Sequence, residues 1–130
     1  MQLPPQNLVV MPGRFAICEL AATADIPLWA TSAAFVQITR TPGELSIVCD
    51  DAVVPAGIKA ERERRFIRVQ GPISFDTVGV IAGLALPLAE ARISIVVVAS
   101  SVTDYIVVAE SDLERTIALL RVAGHTLTTE

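Results

Sequence analysis

Apolar and polar positions along this chain fall into short runs, and most of the runs read as strands. Residues 15–20 (FAICEL), 35–39 (FVQIT) and 45–49 (LSIVC) are β-prone, and residues 66–70 (FIRVQ) alternate as a half-buried strand does. Pro12-Gly13 supplies a turn before the first run. Thr41-Pro42-Gly43-Glu44 reads as a tight turn with proline at its second position, so the runs on either side of it form a hairpin. The connection at 21–34 leaves room for a stunted helix only. Residues 50–59 make a poor helix, because Pro55 and Gly57 interrupt them.

Beyond residue 70 the periodicity changes. Gly71-Pro72 breaks the strand, and the spacing predicts a helix over about 77–91 with Asp76 as its N-cap. Val80, Ile81, Leu84, Leu88 and Ala91 share one face of that helix. Pro87 lies inside it and cannot donate to the carbonyl of Gly83, which predicts a kink. Residues 93–98 (ISIVVV) are nearly all apolar, as a strand covered by helices is, and residues 104–109 (DYIVVA) form another strand. Ser111 and Glu114 have capping-box spacing ahead of a stripe of Leu113, Ile117 and Leu120. Gly124 is the expected C′ stop, and residues 126–129 form a last strand.

Residues 66–129 thus read β-α-β-β-α-β, the order of an α+β, ferredoxin-like sandwich. A weak repeat runs through the chain. Residues 44–50 (ELSIVCD) align with 104–110 (DYIVVAE) sixty positions later, and 66–69 align with 126–129. The expected organisation is therefore two tandem halves, a degenerate one over residues 1–63 and a complete one over 64–130. Two complete units need eight strands and the pattern yields seven, so the halves are expected to share or exchange strands.

Charge and composition narrow the function. Hydrophobic residues make up 52% and charged residues 18%, a balance that favours hiding apolar surface in an oligomer interface. The net charge of −4 offers no basic surplus for a phosphate backbone, so nucleic acid is not expected as a partner. Arg62, Arg64 and Arg65 alternate with Glu61 and Glu63 and read as a solvated loop. Cys18 and Cys49 sit in apolar runs and read as buried free thiols, with no spacing that suggests zinc. The single histidine, His125, has no partners for a metal or catalytic site. The first residues lack the basic start and apolar stretch of a signal peptide. The most apolar stretch, 78–91, is too short for a bilayer and contains Pro87 and Glu90, so a cytoplasmic protein without membrane contact is expected.

Catalytic motifs are scarce. No Walker-type phosphate loop or G-x-S-x-G appears, and no cofactor or metal is expected. Residues 69–75 (VQGPISF) resemble the phosphate loop of acylphosphatases, which reads VQGVxFR. Asp76 stands where that loop has its arginine, and a carboxylate there repels phosphate.

A second resemblance covers the chain from Arg14 to His125. The segments 38–48 (ITRTPGELSIV), 71–75 (GPISF) with 78–82 (VGVIA), 87–91 (PLAEA) and 103–108 (TDYIVV) resemble a family of small ACT-domain proteins. That family is related to the ACT regions of aspartokinases and to the CASTOR-type amino-acid sensors. The resemblance implies two ACT-like halves and ligand binding without catalysis, at an interface between ACT units. By that resemblance the ligand-binding residues are Gly71, Pro72, Ile73, Ser74, Phe75 and Asp76, with Gly79 and Val80 in the first helical turn, and Ser100, Ser101, Thr103 and Asp104 facing them. The implied ligand is an amino acid or similar small molecule, the implied assembly a homodimer, and signalling calls for a protein partner that the sequence does not name. The physics agrees, since N–H groups at a helix start hold a carboxylate and Asp104 can receive an ammonium. The chain departs from the family where S-T-Y-D gives way to Ala99-Ser100-Ser101-Val102, and where an aromatic gives way to Arg64-Arg65. Two alternatives stay open: a structural or dimerisation module without ligand, and a ferredoxin-like enzyme.

Overall fold

The computed structural model describes residues 3–130. Among them are eight strands and three α-helices: β1 (Asn7–Val10), β2 (Phe15–Leu20), α1 (Leu28–Thr31), β3 (Val36–Thr41), β4 (Glu44–Asp50), β5 (Ala60–Val69), α2 (Val80–Glu90), β6 (Val96–Ala99), β7 (Asp104–Ala109), α3 (Leu113–Val122) and β8 (Thr126–Thr129). They form two compact units. One comprises the residues up to Pro12 together with Arg65–Glu130, and the other comprises Gly13–Arg64.

The larger unit has strand order β8-β1-β5-β7-β6. The pattern of β5, α2, β6, β7, α3 and β8 is the expected βαββαβ of an α+β, ferredoxin-like fold. Strand β1 is an addition that periodicity missed. It runs antiparallel to β5, with Leu8 opposite Val69, and parallel to β8, with Leu8 opposite Leu127. Leu8, Val10, Ile67, Val69, Ile106, Val108 and Leu127 from the strands meet Val80, Leu84, Leu88 and Leu120 from the helices in one core. Burial of such side chains contributes roughly 1.5–3 kcal/mol each relative to exposure.

Helix α2, helix α3 and strand β6 do not start as the pattern predicts. Helix α2 starts at Val80 rather than 77, because Gly79 takes the N-cap position with φ of +84°, and no side chain caps it. Asp76 lies in a turn instead, where its backbone N–H donates to Ser74 Oγ at 3.2 Å. Ser111 and Glu114 do not form a capping box: residues 110–112 make a 3-10 turn, and the N-cap position falls to Asp112 without a side-chain bond. Strand β6 begins at Val96 rather than 93, since Ile93 closes the end of α2 by donating to the Leu88 carbonyl at 2.9 Å. Gly124 does end α3 as expected, with φ of +103° and a paired return of N–H groups, Gly124 to Arg121 and His125 to Leu120.

The smaller unit pairs β3 with β4, β4 with β2, and β2 with the first residues of β5. Its core is Ala16, Cys18, Ala30, Ile47, Cys49 and Val54. The arginine run is not a solvated loop, because it lies within β5. Arg62 donates to Asp51 Oδ1 at 2.6 Å and to the carbonyls of Val54 and Pro55, while Asp51 Oδ2 accepts the Glu63 N–H at 2.8 Å. In the larger unit Arg65 donates to Glu110 at 3.5 Å and to the Met11 carbonyl.

Candidate functional site

A cavity of about 330 Å³ opens at the start of α2. Three segments of the larger unit build it: the loop leaving β5, the first turn of α2, and the loop joining β6 to β7. The two loops are tied together, since Ile73 N–H donates to the Val102 carbonyl at 2.9 Å.

The wall at 100–103 is held from within. Ser100 Oγ donates to the Thr103 carbonyl at 3.0 Å and accepts from the Val102 and Thr103 N–H groups. Thr103 is buried, and its hydroxyl donates to the Val69 carbonyl at 2.6 Å. These two hydroxyls therefore fix the wall.

Two groups of opposite polarity remain. The first is the start of α2. Its opening N–H groups belong to Val80, Ile81 and Ala82, all of which line the cavity. No side chain caps that end and no acidic residue occupies the first turn, so the positive end of the helix dipole faces the cavity unneutralised. The second is Asp104, the only ionisable side chain of the lining among the described residues. It is half-buried at the entry of β7.

Of the residues singled out by sequence, the structure brings Ile73, Ser74, Phe75, Gly79, Val80, Ser100, Ser101, Thr103 and Asp104 around this one cavity. Gly71, Pro72 and Asp76 are not in its lining. Gly71 and Pro72 form the turn behind the loop, joined by a cis peptide bond, and Asp76 stands exposed on the crest of the 74–77 turn. Thr77, Ile81, Ala82 and Val102 also line the cavity and were missed. Ile81 and Ala82 become first-turn residues once Gly79 is taken as the helix start, which is the signal that finds them.

The mouth is apolar. Phe75 is 88% exposed and Val102 56%, and Val78 beside them is 82% exposed. Elsewhere, no cluster of three or more His, Cys, Asp or Glu is placed to hold a metal among the described residues. No helix among them is long and apolar enough to cross a membrane.

Known proteins give the geometry a context. A family model described as an ACT domain matches residues 59–122, and a second model, for an N-terminal domain, matches residues 13–57. No curated protein matches the sequence. An X-ray structure of an Agobacterium tumefaciens protein superposes with a TM-score of 0.91 at 38% identity, covering 98% of this chain and 95% of the other. A Vibrio cholerae protein, described as of unknown function and a possible transport protein, gives a TM-score of 0.73 at 22% identity, covering 91% and 89%. The ligand-free regulatory subunit of aspartate kinase from Thermus thermophilus gives 0.58 at 10% identity, covering 94% and 95%, which shows a shared fold. Near-complete overlap with the Agobacterium protein and the ACT-domain match lead to one assignment: this chain belongs to the small ACT-domain proteins.

Proposed function

We propose that this protein is a non-catalytic regulatory module whose cavity at the start of α2 binds a free amino acid with an uncharged side chain. The observation that carries the reading is the pairing of an uncapped helix N-terminus with a single carboxylate in one small cavity. The helix start suits an α-carboxylate and Asp104 suits an α-ammonium. Together they match a zwitterion. A charged ligand side chain would find no third partner, because the rest of the lining is apolar or hydroxyl-bearing. The cavity volume falls at the small end of ligand pockets.

The exposed rim of Phe75, Val78 and Val102 supports closure of the cavity by a second copy of the chain, which makes the working form a homodimer. The fold shared with an aspartate kinase regulatory subunit supports signalling through assembly or through a protein partner. Two free thiols, Cys18 and Cys49, suit the reducing cytoplasm.

A thermal-shift screen against the twenty amino acids tests this. A ligand at a hundredfold excess over its Kd adds about 2.7 kcal/mol, which raises Tm by roughly 10 °C in a chain of this size. The expected result is a selective rise with one or a few uncharged amino acids that Asp104→Asn abolishes. No rise with any of them at millimolar concentration contradicts the reading. The apolar rim also favours a second function, dimerisation without ligand. That function is identified by a stable dimer in light scattering together with a flat thermal screen.

A further inference from the structure

Pro87 leaves a defect inside α2, and the only histidine of the chain repairs it. A helical carbonyl accepts the N–H four residues on, and Pro87 has none to offer Gly83. His125 Nε2 stands 3.1 Å from the Gly83 carbonyl. On the other side of the ring, Nδ1 lies 3.0 Å from the backbone N of Gln6. An N–H must point at Nδ1 there, so Nδ1 accepts. A neutral imidazole then carries its proton on Nε2 and donates it to Gly83. His125 is only 6% exposed, and both ring nitrogens are spoken for in this one tautomer.

The residue it holds belongs to a strap. Leu3 and Pro4 lie against the glycine face of α2: a Cβ on Gly79 would stand 3.1 Å from Leu3 Cδ2 and 3.4 Å from Pro4 Cδ, and one on Gly83 would stand 3.4 Å from Leu3 Cβ. The Gln6 carbonyl accepts the Thr126 N–H at 2.9 Å, so the strap leads into the β1 pairing.

We propose that His125 is an acid-sensitive latch, and that its protonation releases residues 3–6 from α2. A proton on Nδ1 sets N–H against N–H at Gln6 and removes that contact. The ionisable group of α2 on this side is Glu90, which lines the same cavity of about 600 Å³ as His125, Leu3 and Pro5. It offers a freed imidazolium a counter-charge. On α3 the nearby basic group is Arg121, whose guanidinium donates to the Leu127 carbonyl. Residues 3–6 carry no charge. Gly79 also lines the candidate ligand cavity, so the strap supports the helix start from behind. The latch rests on the fold alone and holds whether or not that cavity takes an amino acid.

Because the chain has one histidine, its ring nitrogens are unambiguous in a long-range proton–nitrogen NMR spectrum. The expected spectrum near neutral pH shows the proton on Nε2. Amide exchange of Gln6, scaled to its intrinsic rate, should lose protection as pH falls, by up to roughly tenfold per pH unit once the ring takes its second proton. Leu120 in α3 should keep its protection over the same range. His125→Phe should leave Gln6 unprotected at every pH. A ring proton on Nδ1, constant Gln6 protection from about pH 7.5 to about pH 5, or a protected Gln6 in His125→Phe overturns the latch.

Discussion

The two units use the same hairpin and part company in what they attach to it. Strands β3 and β4 recur sixty residues on as β6 and β7, and each hairpin is followed by a 3-10 turn, Asp51–Val53 in one and Glu110–Asp112 in the other. After the second turn the chain continues into the ten residues of α3. After the first it meets Pro55 and Gly57, which end the helical geometry, and Arg62 ties down the loop by taking the Val54 and Pro55 carbonyls. Ahead of the hairpin the difference repeats. The larger unit has room for the eleven residues of α2, whereas the smaller fits only Leu28–Thr31 into a connection that Arg40 pins by donating to the carbonyls of Ala22 and Ala24. A helix start opening onto a cavity needs a full first helix. Connection length therefore decides which half of the repeat carries a cavity at the start of its first helix.

Breaking the helical side should cost most. Leu84 is fully buried beneath α2, and Leu84→Ala should lower stability by about 3 kcal/mol in urea unfolding. A loss below 1 kcal/mol would mean that α2 does not hold the core of its unit. On the helix-poor side the clamp takes the place of a packed helix. Arg62→Ala should cost about 2 kcal/mol by the same measurement, since it strands the partly buried Asp51 carboxylate and two carbonyls. A cost within error of zero would return the arginine run to the solvated role its composition suggests.

The thiols sharpen the contrast further, because both lie in the smaller core. Burial pushes the Cys49 thiol up to about 12 from 9.0, with Cys18 beside it adding to the rise. The folded chain keeps a proton there that the unfolded chain releases. Stability from this site is complete below about pH 9 and is lost as pH rises toward about 12, by about 1.4 kcal/mol per pH unit. Unfolding free energy measured from about pH 8 to about pH 10 should fall less steeply in Cys49→Ala, and equal slopes would refute the assignment. The smallest effect lies at the helix ends. α2 closes with the same pair of returning N–H groups as α3, but Arg92 stands at φ of +60° where α3 has Gly124. Arg92→Gly should stabilise by about 0.7 kcal/mol, read as a higher urea midpoint.

Much of this was legible where local chemistry governs. β2, β7 and β8 fall within their expected bounds, and α3 ends at Gly124 as the C′ rule requires. Strand β1 was illegible because residues 7–10 (NLVV) neither alternate nor carry turn signals, and pairing with β5 and β8 alone makes them a strand. The start of β6 slid because the run at 93–98 is uniformly apolar and has no phase to mark a boundary. In the candidate site, the loop residues Ile73, Ser74, Phe75, Ser100, Ser101, Thr103 and Asp104 could be named from motifs. Ile81 and Ala82 could not, because their place depends on where α2 begins. The role of His125 was hidden for a different reason: the missing donor at Pro87 is readable, but the side chain that replaces it comes from 42 residues away.

The most direct test of the proposed ligand site is a backbone-amide NMR titration of the full chain with the amino acid that gives the largest thermal shift. The account predicts saturable shifts at the Val80, Ile81 and Ala82 amides and at Asp104, and their loss when the ligand's α-carboxylate is replaced by a methyl ester. Shifts confined to other surfaces, or shifts that survive esterification unchanged, would contradict it.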